Sequence, residues 1–306
     1  MKRKKYLLSI CIPVFNRYKL FKRLLNSIKS KNYKFLEIVI VNDGSNDNIE
    51  SLVNKINQKF ETKYLFQKNK GVAHAMLAAY KMATWTYCIK MDTDDTFLPN
   101  GIDNILKILN NNKKVINENK KLCGIVFGTK LVWKNKTIIN RLPDNIITNF
   151  LALRADLQNL YDCKEVVKRS VILQKQIPIS SSNKVIQQSW FNIANYYDCL
   201  TSDSVVARKE YLDDGLSSNS AIKYKVKESK ILAEMNSKIA KSKKYKSKIF
   251  RFRTKILAKK YAMHSNQKLI KNFSDVFFTI LAWPLYKYEK LFFDYLKYSK
   301  WEYCTL

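Results

Sequence analysis

Three aspartates stand almost side by side in Asp92-Thr93-Asp94-Asp95, directly after an apolar run. Carboxylates this close repel one another unless hydrogen bonds or a divalent cation compensate their charge. Their hard oxygen atoms suit Mg²⁺ or Mn²⁺, which would bridge to a diphosphate. The same residues are typical of a polar turn that caps a helix beginning near Pro99, and the cluster taken alone favours that turn.

A fourth aspartate, Asp43, stands in Asn42-Asp43-Gly44-Ser45 after the β-branched run Glu37–Val41. The Asn-Asp-Gly sequence favours an Asx-type turn, and that turn is compatible with ligand binding by the same carboxylate. Asp43 and Asp92 both follow predicted strands. In parallel sheets, ligands bind beyond the carboxyl ends of strands, so this edge is the candidate site.

Strand-like and helix-like patterns alternate along the first hundred residues and predict a mostly parallel sheet with helices on its faces. Continuous apolar or β-branched runs predict the strands, and apolar residues three or four positions apart predict the helices. Beyond Gly101 the pattern weakens. The predicted strands are 7–14, 37–41, 64–66, 87–91 and 123–133, and the predicted helices are 20–28, 49–60, 72–84, 102–109 and 186–197.

From Leu8 to about Asn104 the chain resembles the family 2 glycosyltransferases, which have the GT-A fold. Five segments carry the resemblance in the family's order: Ser9–Asn16, Leu25–Ile28, Glu37–Asp47, Asn69–Gly71 with Ala75, and Cys88–Asp95 followed by Leu98-Pro99. The resemblance implies an α/β, Rossmann-like sheet with helices on both faces, to which we add a C-terminal helical appendage.

The resemblance also implies roles for individual residues. Asp43 would accept a hydrogen bond from the nucleobase imide, and Asp92 would touch the ribose or the sugar. Asp94 and Asp95 would hold Mg²⁺ or Mn²⁺ on the diphosphate, where the charge of the leaving group develops. The remaining expected nucleotide-sugar contacts are Pro13, Phe15, Asn16, Gly44, Asn69 and Gly71.

Two positions depart from the family pattern in this half of the chain. Thr84-Trp85 stands where the family often has glycine, before the predicted strand that leads to the aspartate cluster. His74 is offset from the family's polar positions after Gly71, which favours a helix-face residue over a ligand. Donor preference therefore does not carry over through this segment.

An inverting transfer requires a general base, usually Asp or Glu in this fold. Three segments are similar to bacterial surface-polysaccharide members of the family: 161–167, 183–190 and 210–217. The second ordinarily has Glu where this chain has Gln188, and an amide cannot accept the proton. Asp162 is the first candidate substitute, ahead of Glu165 and Asp198; a shifted alignment or an inactive protein are the alternatives.

Positive charge dominates the composition, with 56 Lys+Arg against 25 Asp+Glu and a formal net charge of +31. It indicates an anionic partner or an AT-rich genome. Eleven basic residues and no acidic ones lie between Lys238 and Lys260, followed by an aromatic segment. Residues 238–298 are typical of a peripheral anchor on an anionic membrane surface, or of a solvated basic helix and a packed one. No nucleic-acid recognition motif accompanies the charge, so no nucleic acid is expected.

The remaining signals concern location. The six cysteines have no metal-ligand spacing, which fits free thiols in a reducing cytoplasm. Residues 1–14 imitate a signal peptide, but Pro13 and the lack of a cleavage site favour a buried strand. No stretch approaches the roughly 18 apolar residues of a membrane span. We therefore expect a cytoplasmic protein with peripheral attachment to the inner face of the cell membrane.

These inferences predict a GT-A domain over 1–221, with a nucleotide-sugar half (1–104) and an acceptor-side half (105–221), and a basic, aromatic helical tail over 222–306. The expected function is metal-assisted, inverting transfer of a sugar from a nucleoside-diphosphate donor, commonly UDP-linked in the family, to a glycan or lipid-linked acceptor in surface polysaccharide synthesis. A non-catalytic GT-A-fold binding or regulatory protein is the alternative that Gln188 motivates. A nucleotidyltransferase would usually have a Gly-rich loop where this chain has residues 15–18.

Overall fold

The computed structural model describes residues 7–133, 136–155, 161–175, 186–212, 226–242, 245–267 and 273–298. The chain divides into two compact units, residues 1–153 with 159–212 and residues 154–158 with 213–306. The predicted boundary at 221 falls in 213–225, outside the described residues, and stays a prediction.

One mixed sheet forms the centre of the first unit. Its strands are β1 (Leu8–Val14), β2 (Leu36–Asn42), β3 (Glu61–Phe66), β4 (Tyr87–Lys90), β5 (Thr96–Phe97), β6 (Leu122–Trp133), β7 (Lys136–Asn140), β8 (Ile147–Thr148), β9 (Lys164–Lys168) and β10 (Asp198–Tyr211). The order is β3-β2-β1-β4-β9-β6-β10-β5, with β7 beside β6 and β8 beside β10.

The two halves of the sheet differ in strand direction. β3, β2, β1 and β4 are parallel throughout, as the alternating pattern predicts. β9 then runs antiparallel to both β4 and β6, and β10 returns parallel to β6. Because β9 is reversed, its first residue, Lys164, lies at the edge where β4 ends. The antiparallel strand therefore brings the segment 161–164 to the candidate site.

Helices cover both faces of the sheet, in agreement with the sequence-based expectation. They are α1 (Tyr18–Ser27), α2 (Ile49–Asn57), α3 (Val72–Met82), α4 (Gly101–Asn111), α5 (Lys113–Glu118), α6 (Phe150–Ala155), α7 (Arg169–Lys175) and α8 (Ile186–Tyr196). One core lies under α1, α2 and α4, and a second core lies under α3, α7 and α8. Alternate residues of β1 and β2 enter the two cores, so these strands are buried on both faces.

Strand β10 is the main element that the sequence did not predict. Its sequence, DCLTSDSVVARKEY, mixes polar and apolar residues, and its pairing with β6 is interrupted by three register shifts. A shift moves side chains between the two faces and breaks the period of two that identifies a strand. The irregular strand nevertheless delivers Lys209 and Tyr211 to the site.

The second unit contains three helices among its described residues: α9 (Ser229–Lys241), α10 (Lys248–His264) and α11 (Phe273–Tyr298). Two ion pairs join α11 to α10, Lys259–Asp275 at 2.6 Å and Lys260–Glu289 at 2.7 Å. Phe278 and Ala282 are the buried residues of α11 among those from 273 to 291, whose side chains the structure describes. Among the described residues, no helix combines the length and the apolar character required to cross a membrane.

Candidate functional site

The Asp43 carboxylate organises the loop that follows β2. It is almost fully buried, and its Oδ1 accepts hydrogen bonds from Gln67 Nε2 (2.7 Å) and the Lys70 amide (2.9 Å). Its Oδ2 accepts one from the Gly71 amide at 2.8 Å, directly before α3. A carboxylate has roughly four positions that can accept a hydrogen bond. Contacts within the loop fill three of them in Asp43, so about one remains for a ligand.

Gly44 is required beside Asp43 for two reasons. Its φ of +83° is a conformation that residues with a Cβ rarely adopt, and an added Cβ would lie 2.8 Å from the Asn69 amide nitrogen. The loop after β2 and the loop before α3 thus pack backbone against backbone. The sequence-predicted residues Asp43, Gly44, Asn69 and Gly71 come together here.

The turn after β1 is tied to the same loop. Asn16 donates its amide to Ser45 Oγ (2.8 Å), and the Arg17 and Tyr18 amides both donate to Asp47 Oδ2. Asn16 and Arg17 have φ values of 43° and 124°, which non-glycine residues adopt only when their surroundings hold them. Pro13 is buried within β1, whereas Phe15 is 46% exposed at the mouth of this turn.

Glu37 accounts for the departure at Thr84-Trp85. Its side chain is fully buried and pairs with Lys63 at 2.9 Å. The carboxylate also accepts hydrogen bonds from the Ser9 hydroxyl, the amides of Thr84 and Trp85, and the Thr84 hydroxyl. Burial opposes the charged form, but these donors outweigh it and lower the pKa of Glu37. Thr84 therefore supplies a hydroxyl donor to Glu37 that glycine would lack.

Asp92, Asp94 and Asp95 converge after β4. One carboxylate oxygen from each lies within 4.8 Å of the others. The Asp95 amide donates to the Asp92 carbonyl at 3.0 Å, so the segment is a turn. It does not cap a helix, because β5 follows and α4 begins at Gly101 with no side-chain cap. That part of the turn interpretation is wrong.

The donor set fits a hard divalent cation. The three groups offer carboxylate oxygens, which are the ligands that Mg²⁺ and Mn²⁺ prefer. Asp95 is fully buried, and its Oδ1 has no hydrogen-bond partner among the residues that the structure describes. A buried carboxylate oxygen without a hydrogen bond is costly unless a cation faces it.

Three lysines, none singled out from the sequence, surround these carboxylates. Lys90 pairs with Asp92 at 2.8 Å, and Lys164 pairs with Asp95 Oδ2 in a contact where both side chains are buried. Lys209 lies 3.8 Å from Asp92 Oδ2 and 3.9 Å from Asp95 Oδ1. Burial would raise the pKa of Asp92, but the three ammonium groups outweigh it and hold that pKa below its ordinary value. No motif marks these lysines: Lys90 precedes Asp92 by two residues, whereas Lys164 and Lys209 lie on strands that reach the cluster only in the fold.

Asp94 is in a different electrostatic position. Burial and the neighbouring charges of Asp95 and Asp92 raise the pKa of its carboxyl group. Its backbone carbonyl accepts a hydrogen bond from Arg23 Nη2 at 2.7 Å, and Arg23 also pairs with Glu210 at 2.5 Å. The turn is therefore fixed from α1 and from β10.

Asp162 joins this cluster from the acceptor side. Its Oδ2 lies 3.7 Å from Lys209 Nζ and accepts a hydrogen bond from the Tyr211 hydroxyl at 2.9 Å. Its carbonyl accepts hydrogen bonds from Thr129 Oγ1 at 2.5 Å and Asn140 Nδ2 at 3.3 Å. The side chain is about one third exposed (34%), so an acceptor can reach it. Lys209 therefore lies between Asp162 on one side and Asp92 and Asp95 on the other.

The other candidate bases are located differently. Glu165 follows Lys164 in β9, so alternation along the strand directs it to the opposite face. Asp198 begins β10, eleven residues before Lys209, which separates the two by about 30 Å along an extended strand. Gln188 belongs to α8, and its side chain lies outside the described part of the structure.

The family model described as "Glycosyl transferase family 2" matches residues 9–161, half of the chain. An "Uncharacterized glycosyltransferase" of Rickettsia bellii is 31% identical over 145 residues. That match covers 46% of this chain and 20% of the relative, so the chain spans about a fifth of that protein's length.

Two solved structures share the fold. S. aureus TarS 1-349 in complex with UDP-GlcNAc has a TM-score of 0.56 at 14% identity, over 90% of this chain and 79% of that one. The mannosyltransferase PcManGT from Pyrobaculum calidifontis, in complex with GDP-Man and Mn²⁺, has a TM-score of 0.53 at 14% identity, over 95% of this chain and 84% of that one. These likenesses confirm the predicted GT-A fold.

The family match contains β1, the Asp43 loop, the aspartate cluster and Tyr161 at the start of the acceptor-side segment. It therefore covers every residue that the sequence analysis predicted to contact the nucleotide sugar, and the predicted class of enzyme is the class of that family. This chain belongs to glycosyl transferase family 2.

Proposed function

We propose that this chain transfers a sugar from a nucleoside-diphosphate donor, UDP-linked, to a glycan or lipid-linked acceptor in surface polysaccharide synthesis, with inversion at the anomeric carbon. One observation carries the proposal: the Asp43 loop and the Asp92, Asp94 and Asp95 oxygens lie at the ends of the neighbouring parallel strands β2, β1 and β4. A nucleobase at the first position would leave its diphosphate at the second.

The remaining acceptor position of Asp43 supports uridine. Its carboxylate already accepts from Gln67, Lys70 and Gly71, so it has room for about one more donor. Uracil presents one imide N–H. The TarS structure contains UDP-GlcNAc and the PcManGT structure contains GDP-Man, so these nucleotides are the two to compare.

Mg²⁺ or Mn²⁺ held by Asp94 and Asp95 would neutralise the charge that develops on the departing diphosphate. Asp92 lies beside them, where it can orient the ribose or the sugar. Asp162 is the proposed base: it accepts the proton of the acceptor hydroxyl as that oxygen bonds to the anomeric carbon. The bond from that carbon to the diphosphate oxygen breaks, and its electron pair leaves with the nucleoside diphosphate. A hydrogen bond from the Tyr211 hydroxyl holds the Asp162 carboxylate in place, and Lys209 lies 3.7 Å from the same oxygen.

The test is a screen of UDP- and GDP-sugars with Mn²⁺ or Mg²⁺, with and without lipid-linked acceptors, in which released nucleotide is measured. We expect turnover of a UDP-sugar that increases with the matching acceptor. An absence of turnover for every donor would contradict the proposal and favour the non-catalytic alternative that Gln188 motivates.

Peripheral attachment to anionic membrane at the inner face of the cell membrane is the second part of the proposal, and α11 carries it. Four apolar side chains recur every three or four residues on its exposed side, and a fifth follows eight residues later: Phe273 (90% exposed), Phe277 (52%), Ile280 (65%) and Trp283 (54%), then Leu291 (69%). We call these five the apolar stripe. A stripe of this length on a helix that is too polar to span a bilayer is typical of interfacial binding.

Cations accompany the apolar stripe. Lys287 Nζ lies 5.3 Å from the ring centre of Trp283, a member of the stripe. The segment 238–260 adds eleven basic residues and no acidic one. Apolar side chains flanked by ammonium groups match a bilayer surface with anionic headgroups.

Vesicle sedimentation with anionic and with neutral lipid tests this part. We expect binding to anionic vesicles only, and a loss of at least tenfold in Ile280→Glu, which places a charge within the apolar stripe. Ser274→Glu adds the same charge to the same helix outside the stripe and should retain most of the binding. Equal sedimentation with both lipids, or equal loss in both variants, would refute membrane attachment through this face.

A further inference from the structure

The aspartate cluster contains its own positive charges. Four carboxylates (Asp92, Asp94, Asp95 and Asp162) lie among three ammonium groups (Lys90, Lys164 and Lys209). The formal sum is 3 − 4 = −1. Without any bound ion, the site is therefore already close to neutral, although its three adjacent aspartates suggest a strongly anionic one.

Two of the lysines are bound as fixed partners. Lys90 lies 2.8 and 2.9 Å from the two oxygens of Asp92, the distance of a direct charged hydrogen bond. Lys164 and Asp95 are 5% and 0% exposed, so separating them would leave a buried charge unpaired. Their contributions are those of permanent structural pairs.

Lys209 is held differently. Its Nζ lies 3.7 to 3.9 Å from one oxygen each of Asp162, Asp92 and Asp95, and each of these distances exceeds that of a direct hydrogen bond. It faces Asp95 Oδ1, the buried oxygen that has no hydrogen-bond partner. The ammonium group thus sits in the field of three carboxylates without being fixed to one, and its side chain is 17% exposed.

We propose that Lys209 is a resident cation of this site, which occupies the position of a metal's charge in the nucleotide-free protein and turns to the diphosphate when metal and nucleotide arrive. The inference rests on the proposed function and adds a positioning residue to it. A divalent ion entering alone would bring +2 to a site of −1 and would meet Lys209 at short range. With a nucleoside diphosphate present, the ammonium group gains an anionic partner, so metal and nucleotide each strengthen the binding of the other.

Nucleotide-free binding of Mn²⁺, followed by electron paramagnetic resonance of the free ion, tests the role of Lys209. Lys209→Met removes the ammonium and retains most of the volume, and we expect it to bind Mn²⁺ about tenfold or more tightly than the wild type. Lys209→Arg preserves the charge and should bind as weakly as the wild type. Lys130→Met, the same change on the adjacent strand β6, should leave Mn²⁺ binding unaltered.

The second arm adds UDP as the probe. UDP should tighten Mn²⁺ binding to the wild type at least tenfold and to Lys209→Met by a smaller factor. Equal Mn²⁺ affinity of wild type and Lys209→Met without nucleotide, with both folded by circular dichroism, would overturn the inference. If no variant binds UDP or GDP, the proposed function fails, whereas the nucleotide-free comparison still decides whether Lys209 opposes the metal.

Discussion

The two acidic positions of the site are held by different kinds of donors. Asp43 is bound by neutral groups, the amides of Lys70 and Gly71 and the side chain of Gln67, which fix its geometry and leave its charge in place. Asp95 Oδ1 and Asp162 Oδ2 instead face the ammonium group of Lys209. Neutral donors suit recognition of a neutral base, whereas a cation that is fixed to no single carboxylate can be exchanged for another cation. The comparison separates the proposed recognition loop from the proposed reaction centre.

The largest expected effect is at the reaction centre. Asp162→Asn removes the proposed proton acceptor, so sugar transfer should fall about 10²- to 10⁴-fold. UDP affinity should stay within about twofold, because Asp162 lies outside the Asp43 loop. Transfer rates and UDP titration calorimetry measure the two quantities.

Asp198→Asn is the matched control for that variant, since Asp198 lies at the other end of β10. We expect nearly wild-type transfer from it. Full activity in Asp162→Asn would remove Asp162 from the mechanism. A loss of transfer in Asp198→Asn alone would assign the role of general base to Asp198.

A smaller effect is expected at the recognition loop. Asp43→Asn turns an amide NH₂ toward backbone N–H donors and loses an acceptor for the base, so UDP affinity should drop about tenfold, or 1.4 kcal/mol. Mn²⁺ affinity should be unchanged, and Asp203→Asn on the surface should behave as the wild type. Equal losses of Mn²⁺ and UDP binding in Asp43→Asn would show that the two positions are not separable.

The next effect is on stability, outside both positions. Glu37→Gln breaks a buried ion pair with Lys63, and the free energy of unfolding should fall by about 3 kcal/mol by urea titration. Glu118→Gln, at an exposed position, should change it by less than about 0.5 kcal/mol. A near-zero change in Glu37→Gln would contradict the structural role assigned to Glu37.

The smallest effect is the pH dependence of that difference. The folded pKa of Glu37 is lowered, so the stabilisation is fully present above the ordinary glutamate value of about 4.3 and is lost as the pH falls through the lower folded pKa. The stabilities of wild type and Glu37→Gln should therefore begin to converge once the pH falls below about 4.3, and should meet below the folded pKa. A difference that grows on acidification would reverse the sign and refute the assignment.

The sequence predicts the first of the two regions far better than the second. β1, β2 and β4 appear as continuous apolar runs because both faces of each are buried, and Asp43 and Asp92 follow them directly. Lys209 stands on a strand with three register shifts, and Lys164 begins a strand whose antiparallel pairing has no local signal. The contacts of Asp95 with Lys164 and Lys209 span 69 and 114 sequence positions, so they depend on strand order, which no short motif encodes.

The metal interpretation of the aspartates illustrates the same limit. The cluster fits a divalent cation, since one oxygen from each of its aspartates lies within 4.8 Å of the others. The sequence does not reveal that lysines from distant strands already supply cationic charge there. Only the fold brings Lys164 and Lys209 to Asp92 and Asp95.

Calorimetric titration of UDP in the presence and absence of Mn²⁺, for wild type and Asp94→Asn, tests the central claim most directly. Asp94 forms no ion pair with the residues that the structure describes, so its replacement should remove a proposed metal ligand while Asp43 remains intact. We predict that Mn²⁺ strengthens UDP binding to the wild type at least tenfold and has little effect on Asp94→Asn. Two results would contradict a metal-assisted donor site at this edge of the sheet. One is that neither UDP nor GDP binds, and the other is that Mn²⁺ strengthens UDP binding equally in wild type and Asp94→Asn.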